Sequence, residues 1–435
     1  MPSTIEASGL TQRWYRIIPV ALLMYMISFV DRTNISLALP HIRHDLHLDA
    51  EQAGNVAGIF YWGYCVLQIP GGHLAKHWSA KRFISILLIV WGISAAGCGL
   101  ARTGSQLLAL RVLLGVAEGG VFPATLILLS HWFSRAERAR ANALWLLSLP
   151  GAVIVSSPIS GWILDHWNWR VMMIAEGALP IIWLAVWLIF MSDHPSEVKW
   201  LTEADRSKLS EVMREESRDV EVQQEGSYLK ALLKALFDRQ ALVLILVYFC
   251  FCAGQMGIVF WLPSAMEKMK NLSNLAASVF YTAPFVVGCI SLVVISRHSD
   301  RMRERRRHVS ISMFIGGACL LAAVFFASRS ELLAFVFVAL SGIGAYGPMA
   351  PFWTLPTETL SSKVVGSVMG LVNALGNLGA WLSPIVVGFF AKRTGNYLLG
   401  FVFLGIVMWM GGAFAYALRP AQSEAANAAA APYLK

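Results

Sequence analysis

Residues 17–40 read IIPVALLMYMISFVDRTNISLALP, and only Asp31 and Arg32 in this stretch are charged. A helix needs roughly 20 apolar residues to cross a bilayer core about 30 Å thick. Inside that core, backbone polar groups are satisfied only in helices and closed barrels. Because the run is too long for a barrel strand, it predicts a membrane-spanning helix that carries two charges.

The rest of the chain has the same apolar character. Of its 435 residues, 57% are hydrophobic and 14% are charged, whereas soluble domains average about 25% charged residues. This composition excludes a disordered chain, a coiled coil and an ordinary soluble enzyme. Twelve apolar runs of spanning length occur, six on either side of a polar stretch: 17–40, 53–75, 83–101, 107–130, 141–164, 171–192, 241–263, 276–296, 309–327, 332–353, 364–391 and 397–418.

The predicted fold is an all-α polytopic membrane protein with 12 transmembrane helices in two six-helix bundles. The predicted domains are an N-terminal bundle (1–192), a linker with a surface helix at 202–218 (193–238), a C-terminal bundle (239–418) and a tail (419–435). The halves share Ser-Pro-Ile at 157–159 and 383–385, and Leu-Pro at 39–40 and 262–263. Such internal repetition is typical of transporters. Glycines and prolines from Gly342 to Pro356 predict a bent or broken tenth span.

The distribution of basic residues predicts the orientation. With the N-terminus inside, the short inner segments hold 17 Lys and Arg and the outer loops hold 8, as the positive-inside rule requires. We therefore expect a multi-pass protein of a bacterial-type plasma membrane with both termini cytoplasmic. The net charge of +9 is assigned to these loops and to anionic lipid. A nucleic-acid partner is not expected, because no basic soluble domain or aromatic platform is present.

Four ionisable residues lie deep in the predicted spans, where each costs about 2.5–3.5 kcal/mol on insertion scales. Asp31 and Arg32 lie in the first span. Arg111 and Glu118 share one face of the fourth, with Gly115 between them. An arginine offers a planar fork for a carboxylate, and a carboxyl group removed from water holds a proton more readily. These residues predict an anion clamp and proton sites. A buried ion-pair network that only orders the bundle is the alternative.

Further polar and aromatic side chains at depth are candidates for gripping an organic substrate. They are Tyr64, Trp353, Asn373 and Asn377, and each is also typical of a plain interhelical contact. Glu176 lies near the start of its span, which favours a structural or gating contact. All six cysteines fall in predicted spans, which indicates packing. We expect no metal and no cofactor, with protons as the coupling ion.

Five sequence segments resemble the major facilitator superfamily and, within it, the anion:cation symporter branch. They are FVDRTNISLA at 29–38, RVLLGVAEGGVFPA at 111–124, HWFSRAERARA at 131–141, HPSEVKWLTEADR at 194–206 and PFWTLPTETL at 351–360. The resemblance covers essentially the whole chain. It implies two six-helix bundles with a substrate cavity between them, and proton-coupled uptake of organic anions such as sugar acids, tartrate-like acids or aromatic carboxylates.

The same resemblance implies roles for individual residues. The family residue that matches Arg32 contacts the substrate carboxylate, and those that match Asp31 and Glu118 take protons. The residue that matches Arg111 pairs with these carboxylates. A family tyrosine on the second helix matches Tyr64, and an asparagine on the eleventh matches Asn377.

One superfamily motif departs from its usual pattern. The loop after the second span reads GHLAKHWSAKR, with Lys76 where Asp is usual and Ser79 where Gly is usual. The corresponding loop of the second half keeps the acidic residue in Asp300-Arg301. Lys76, Asp300 and Arg301 are therefore the predicted gating and loop residues, and the usual latch is in doubt in the first half.

The predicted function is secondary active transport, namely proton-coupled symport of a small mono- or dicarboxylate into the cell by a monomer. The alternative is a proton-linked exporter of drugs or metabolites on the same fold. A third reading is a membrane sensor without transport, although the 46-residue linker and short tails provide no signalling domain. We expect no enzyme, because no nucleophile elbow, metal cluster or phosphate loop occurs.

Overall fold

The computed structural model describes residues 8–223, 237–266, 273–359 and 362–418, and every regular element in those ranges is helical. The predicted tail at 419–435 and linker residues 224–236 lie outside the described part of the chain. The first helices are α1 (Ser8–Arg16), α2 (Ile18–Asp45), α3 (Ala50–His77), α4 (Ala80–Cys98), α5 (Gly104–Gly119), α6 (Val121–Trp132), α7 (Arg135–Leu146), α8 (Ser148–His166), α9 (Trp169–Gly177), α10 (Leu179–Phe190) and α11 (Glu203–Gln223).

The remaining helices follow the linker. They are α12 (Arg239–Met266), α13 (Asn274–Tyr281), α14 (Ala283–Met302), α15 (Arg306–Phe326), α16 (Glu331–Leu340), α17 (Gly342–Tyr346), α18 (Met349–Thr359), α19 (Ser362–Thr394) and α20 (Leu398–Ala417). Helix α11 overlaps the linker segment for which the sequence predicts a helix, 202–218. The tenth predicted span is divided into α16, α17 and α18, which confirms the break predicted there.

The chain is a multi-pass membrane protein. Eleven helical stretches of the described residues are long and apolar enough to cross a membrane, and they match every predicted span except the second. The second corresponds to α3, which is as long as α2 at 28 residues. Its sequence includes the polar residues Asn55, Gln68 and His73, which lower its hydropathy relative to the other spans.

The chain forms two compact units. The first comprises Met1–Glu225 with Leu262–Tyr281, and the second comprises Gly226–Trp261 with Thr282–Lys435. Helix α13 therefore packs with the first unit. Asp165 at the end of α8 accepts hydrogen bonds from the backbone N–H groups of Asn274 and Leu275, at 2.8 and 2.9 Å. A carboxylate at this position satisfies free N–H groups and the positive end of the helix dipole.

In the second unit, α19 packs closely on α12. A Cβ atom at Gly379 would lie 2.1 Å from the backbone oxygen of Phe249. The indole Nε1 of Trp261 donates to the backbone oxygen of Pro384 at 2.9 Å. Because both contacts involve backbone atoms, they hold α12 and α19 in one register.

In the first unit, α3 and α5 touch backbone to backbone. A Cβ atom at Gly115 would lie 2.1 Å from the backbone oxygen of Phe60, and one at Gly119 would lie 2.2 Å from that of Tyr64. Small residues allow this approach between membrane helices. The contact brings the face of α5 that bears Arg111 and Glu118 against α3.

We expect Gly115→Ala to destabilise the protein, because the added methyl group would meet the backbone of Phe60 and force the two helices apart. Overpacking of this kind costs about 1–3 kcal/mol. The midpoint of thermal unfolding of the purified protein in detergent measures the loss. The matched control is Gly151→Ala on α8, where a Cβ atom would meet nothing within 4 Å. An equal fall in both variants would contradict the packing argument.

Candidate functional site

The four charged residues predicted at membrane depth are all buried in the first unit. Helix α2 carries Asp31 and Arg32, which are 2% and 4% exposed, and α5 carries Arg111 and Glu118, at 1% and 0%. Charged side chains are almost never buried this fully unless they have partners. The partners of each charge therefore decide what the cluster can do.

Arg32 and Glu118 form a buried ion pair. The Nε atom of Arg32 donates to Oε2 of Glu118 at 2.7 Å. The hydroxyl of Ser28 donates to the same oxygen at 2.6 Å and accepts from Nη2 of Arg32 at 2.9 Å. Ser28 lies one turn before Arg32 on α2, so the three side chains close a triangle. Such charge-assisted hydrogen bonds are about twice as strong as neutral ones.

Aromatic rings surround the guanidinium of Arg32. Its central carbon lies 4.5 Å from the ring centre of Tyr64, 5.5 Å from that of Tyr25 and 5.7 Å from that of Phe60. The faces of aromatic rings attract cations. Tyr64, a predicted substrate residue, is thus placed against Arg32. These rings add to the ion pair with Glu118 in stabilising the buried cation.

Arg111 is bonded differently from what the resemblance implies. Its Nη1 donates to the backbone oxygen of Asp31 at 3.1 Å, and its guanidinium lies 5.0 Å from the ring centre of Phe60. It forms no ion pair with Asp31 or Glu118. Within the described part of the chain, Nε and Nη2 of Arg111 and Oε1 of Glu118 have no hydrogen-bond partner. Buried polar atoms are nearly always paired, so these three atoms retain unused capacity to donate and accept hydrogen bonds.

Asp31 is held by neutral donors. The indole Nε1 of Trp91 on α4 donates to its Oδ2 at 2.7 Å, and the amide of Asn34 lies 3.5 Å from its Oδ1. Sequence reasoning named neither Trp91 nor Ser28. The spacing of Ser28 from Arg32 was a usable signal, since residues four apart share a helix face. Trp91 stands in the apolar run ISILLIVWGIS at 84–94, where nothing distinguishes it from a packing residue.

The predicted substrate residues of the second unit are placed in two groups. Asn377 donates from Nδ2 to Oδ1 and to the backbone oxygen of Asn373, at 2.9 and 2.8 Å, and both side chains are buried on α19. Trp353 on α18 packs against the ring of Tyr248, with ring centres 5.0 Å apart. The two asparagines are therefore brought together, and Trp353 packs against α12.

The predicted loop residues have local roles. Asp300 forms an ion pair with Arg305, and both Arg301 and Lys76 are exposed. The loop between α3 and α4 is held through other residues. Asp193 accepts from the hydroxyl of Ser79, and from the backbone N–H of Lys81 at 2.8 Å. Among the described residues, no group of three or more His, Cys, Asp or Glu could hold a metal ion.

The sequence is similar to those of known transporters. The family model described as "Major Facilitator Superfamily" matches residues 21–384. The chain is 32% identical over 412 residues to a putative tartrate transporter of Agrobacterium vitis, which covers 92% of this chain and 89% of that protein. It is 28% identical over 407 residues to the quinolone resistance transporter of Acinetobacter baumannii, covering 91% and 92%.

The fold is also similar to a solved structure. The xylose transporter XylE from E. coli superposes with a TM-score of 0.77 at 12% identity, over 94% of this chain and 98% of that chain. At this level of identity the similarity concerns the fold alone.

A double-mutant cycle tests the buried pair. Glu118→Leu alone leaves the cation of Arg32 buried without its acid, and breaking a buried pair costs about 3–5 kcal/mol. We expect Arg32→Met combined with Glu118→Leu to recover most of the thermal stability that Glu118→Leu loses, because neither charge of the pair is then left buried without its partner.

The matched control is a pair at the surface of the same unit. Arg170 and Asp45 form an ion pair with side chains 32% and 48% exposed, and such pairs contribute about 0–1 kcal/mol. The same cycle there should show little coupling. Additive losses at Arg32 and Glu118 would contradict the buried-pair interpretation.

Proposed function

The chain belongs to the major facilitator superfamily, and from that premise we propose that it imports a small organic mono- or dicarboxylate together with protons. The observation that carries the proposal is the buried guanidinium of Arg32, neutralised by a single carboxylate from Glu118. A substrate carboxylate has the same charge and shape as the Glu118 side-chain group, so it can take the place of that group on the arginine.

Protonation of Glu118 would couple proton movement to substrate binding. A proton on Glu118 removes the negative charge that holds Arg32, and the guanidinium is then free to attract a substrate carboxylate. Asp31 is the second proton site in this scheme. Its backbone oxygen accepts from Arg111, which keeps the second arginine beside this residue. Release of the substrate accompanies loss of the protons, after which Glu118 again binds Arg32.

The substrate class follows from the two arginines and the nearby aromatic rings. Arg32 and Arg111 provide two positive centres, which favour an acid with one or two carboxylates. The similarity to a putative tartrate transporter supports a small hydroxy acid. The amides of Asn373 and Asn377 can donate and accept hydrogen bonds and remain predicted substrate contacts, as does Trp353.

We also propose that the protein lies in a bacterial-type plasma membrane as a monomer. Its termini would then be cytoplasmic, and its basic loops would contact anionic lipid.

Export of drugs or metabolites is a second candidate. It is favoured by the similarity to a quinolone resistance transporter over 91% of the chain. A carboxylate–arginine pair can couple proton movement to transport of a substrate in either direction. Import and export are separated by the side of the membrane on which the substrate accumulates.

Two substitutions test the proposed coupling with tartrate as the first test substrate in proteoliposomes. Arg32→Ala should reduce uptake by about 30-fold or more, because loss of one partner of a buried charge pair costs about 2–5 kcal/mol. Glu118→Gln should retain exchange of substrate across the membrane but lose accumulation driven by a pH gradient. The control is Glu331→Gln, which changes an exposed carboxylate. Accumulation by Glu118→Gln against a gradient would refute the role of Glu118.

The direction test uses the same vesicles with an acidic exterior, and it compares tartrate with a fluoroquinolone. Symport predicts that tartrate accumulates inside and dissipates the pH gradient. Proton-linked export predicts instead that the fluoroquinolone moves against the direction of proton flow. Saturable transport of either compound would exclude a sensor that does not transport.

A further inference from the structure

Glu176 is a buried carboxyl group that the coupling scheme above does not use. It lies on α9 in the first unit and is 5% exposed. Its Oε1 lies 2.6 Å from the hydroxyl oxygen of Ser160 on α8. Its Oε2 accepts from Nδ2 of Asn34 on α2 at 2.9 Å. The group is thus held by two neutral side chains, without a cation.

The hydrogen bonds of Ser160 bear on the protonation of Glu176. The Ser160 hydroxyl also lies 3.0 Å from the backbone oxygen of Ser156. A hydroxyl has one proton to donate, and both neighbours are acceptors if Glu176 is charged. If the Ser160 proton goes to Ser156, the short contact with Glu176 requires a proton on the carboxyl group. Ser28 differs, because it accepts from Arg32 and donates to Glu118, so Glu118 needs no proton.

The charged groups around Glu176 also favour its protonated state. Helix α9 packs against α2, α4, α8 and α10, and Asp31 on α2 is the charged group that faces Glu176. Arg32 on α2 is paired with Glu118. The other charged groups of these helices lie toward helix ends, and none forms an ion pair with Glu176: Arg43, His41, His44 and Asp45 on α2, Lys81 and Arg82 on α4, Asp165 and His166 on α8, and Arg170 on α9. Two further titratable groups, Tyr25 on α2 and Cys98 on α4, are ordinarily uncharged at neutral pH. An uncompensated buried charge beside Asp31 would be costly.

One amide links Glu176 to the coupling residues. Nδ2 of Asn34 lies 2.9 Å from Oε2 of Glu176 and 3.5 Å from Oδ1 of Asp31. Two carboxyl groups that share one donor repel each other when both are charged, so a proton on one makes a proton on the other less favourable. The protonation states of Asp31 and Glu176 are therefore linked.

We propose that Glu176 is an additional proton site of the transport cycle, protonated in the conformation described and linked to Asp31 through Asn34. This inference rests on the proposed function. In the orientation proposed above, the start of α9 faces the outside, and seven residues of helix from Trp169 to Glu176 correspond to about 10 Å. Glu176 then lies between the outer surface and Asp31, where an incoming proton is received before it reaches the arginines.

Infrared spectroscopy of the purified full-length protein tests the proton site without substrate. The carbonyl stretch of a protonated carboxyl group is separate from that of a carboxylate. We expect Glu176→Gln to remove one such band at neutral pH, and we expect the wild-type band to shift in heavy water because its proton exchanges. The control Glu331→Gln should remove none. A spectrum in which Glu176→Gln removes no band, or a band that never shifts in heavy water, would overturn the proposal.

Two further measurements separate an exchanging proton from a structural role. The amide of Gln reproduces a protonated carboxyl group, so Glu176→Gln should keep the wild-type unfolding midpoint, whereas Ser160→Ala should change the pH at which the band titrates. In proteoliposomes with tartrate and a trapped pH dye, Glu176→Gln should move one proton fewer per tartrate. An unchanged ratio would overturn the role in the cycle. Absence of tartrate uptake by the wild type would instead count against the proposed function, and the infrared result would still decide the state of Glu176.

Discussion

The ion pair between Arg32 and Glu118 is the constraint on which the first unit depends. A guanidinium that is 4% exposed inside an apolar bundle requires a counter-charge and a full set of acceptors. Glu118 supplies the charge, Ser28 joins the two side chains, and the rings of Tyr25, Phe60 and Tyr64 cover the cation. The proposed transport cycle uses this same interaction, because a proton on Glu118 would remove its charge and leave Arg32 free for an anion.

The glycines of α5 place this pair. Because Gly115 and Gly119 lie against the backbone of α3, Glu118 reaches the level of Tyr64 and Arg111 reaches the ring of Phe60. Larger residues at these positions would separate the acid from the aromatic cover of Arg32. The close packing of α3 and α5 therefore sets the positions of the charged groups in the site.

Much of the fold was predictable from hydropathy, because the cost of burying unpaired backbone in lipid leaves few alternatives. The broken tenth span followed from its glycines and prolines, and the buried charges followed from their depth. The bond from Trp91 to Asp31, and that from Arg111 to a backbone oxygen, depend on how each helix is rotated about its axis. Hydropathy does not encode that rotation. The packing of α13 with the first unit was missed for a related reason, since contacts between distant segments leave no local signal.

The contact between α3 and α5 is made of main-chain atoms, and main chain cannot change rotamer. Side-chain interfaces absorb a small displacement by repacking, but a glycine against a carbonyl oxygen has no slack to absorb one. Tyr64 and Glu118 therefore lie on two helices that are in contact through their main chains. Phe60 and Tyr64 on α3 and the acid on α5 therefore form one closely packed layer, whereas Arg32 and Tyr25 belong to α2, which meets that layer through side chains.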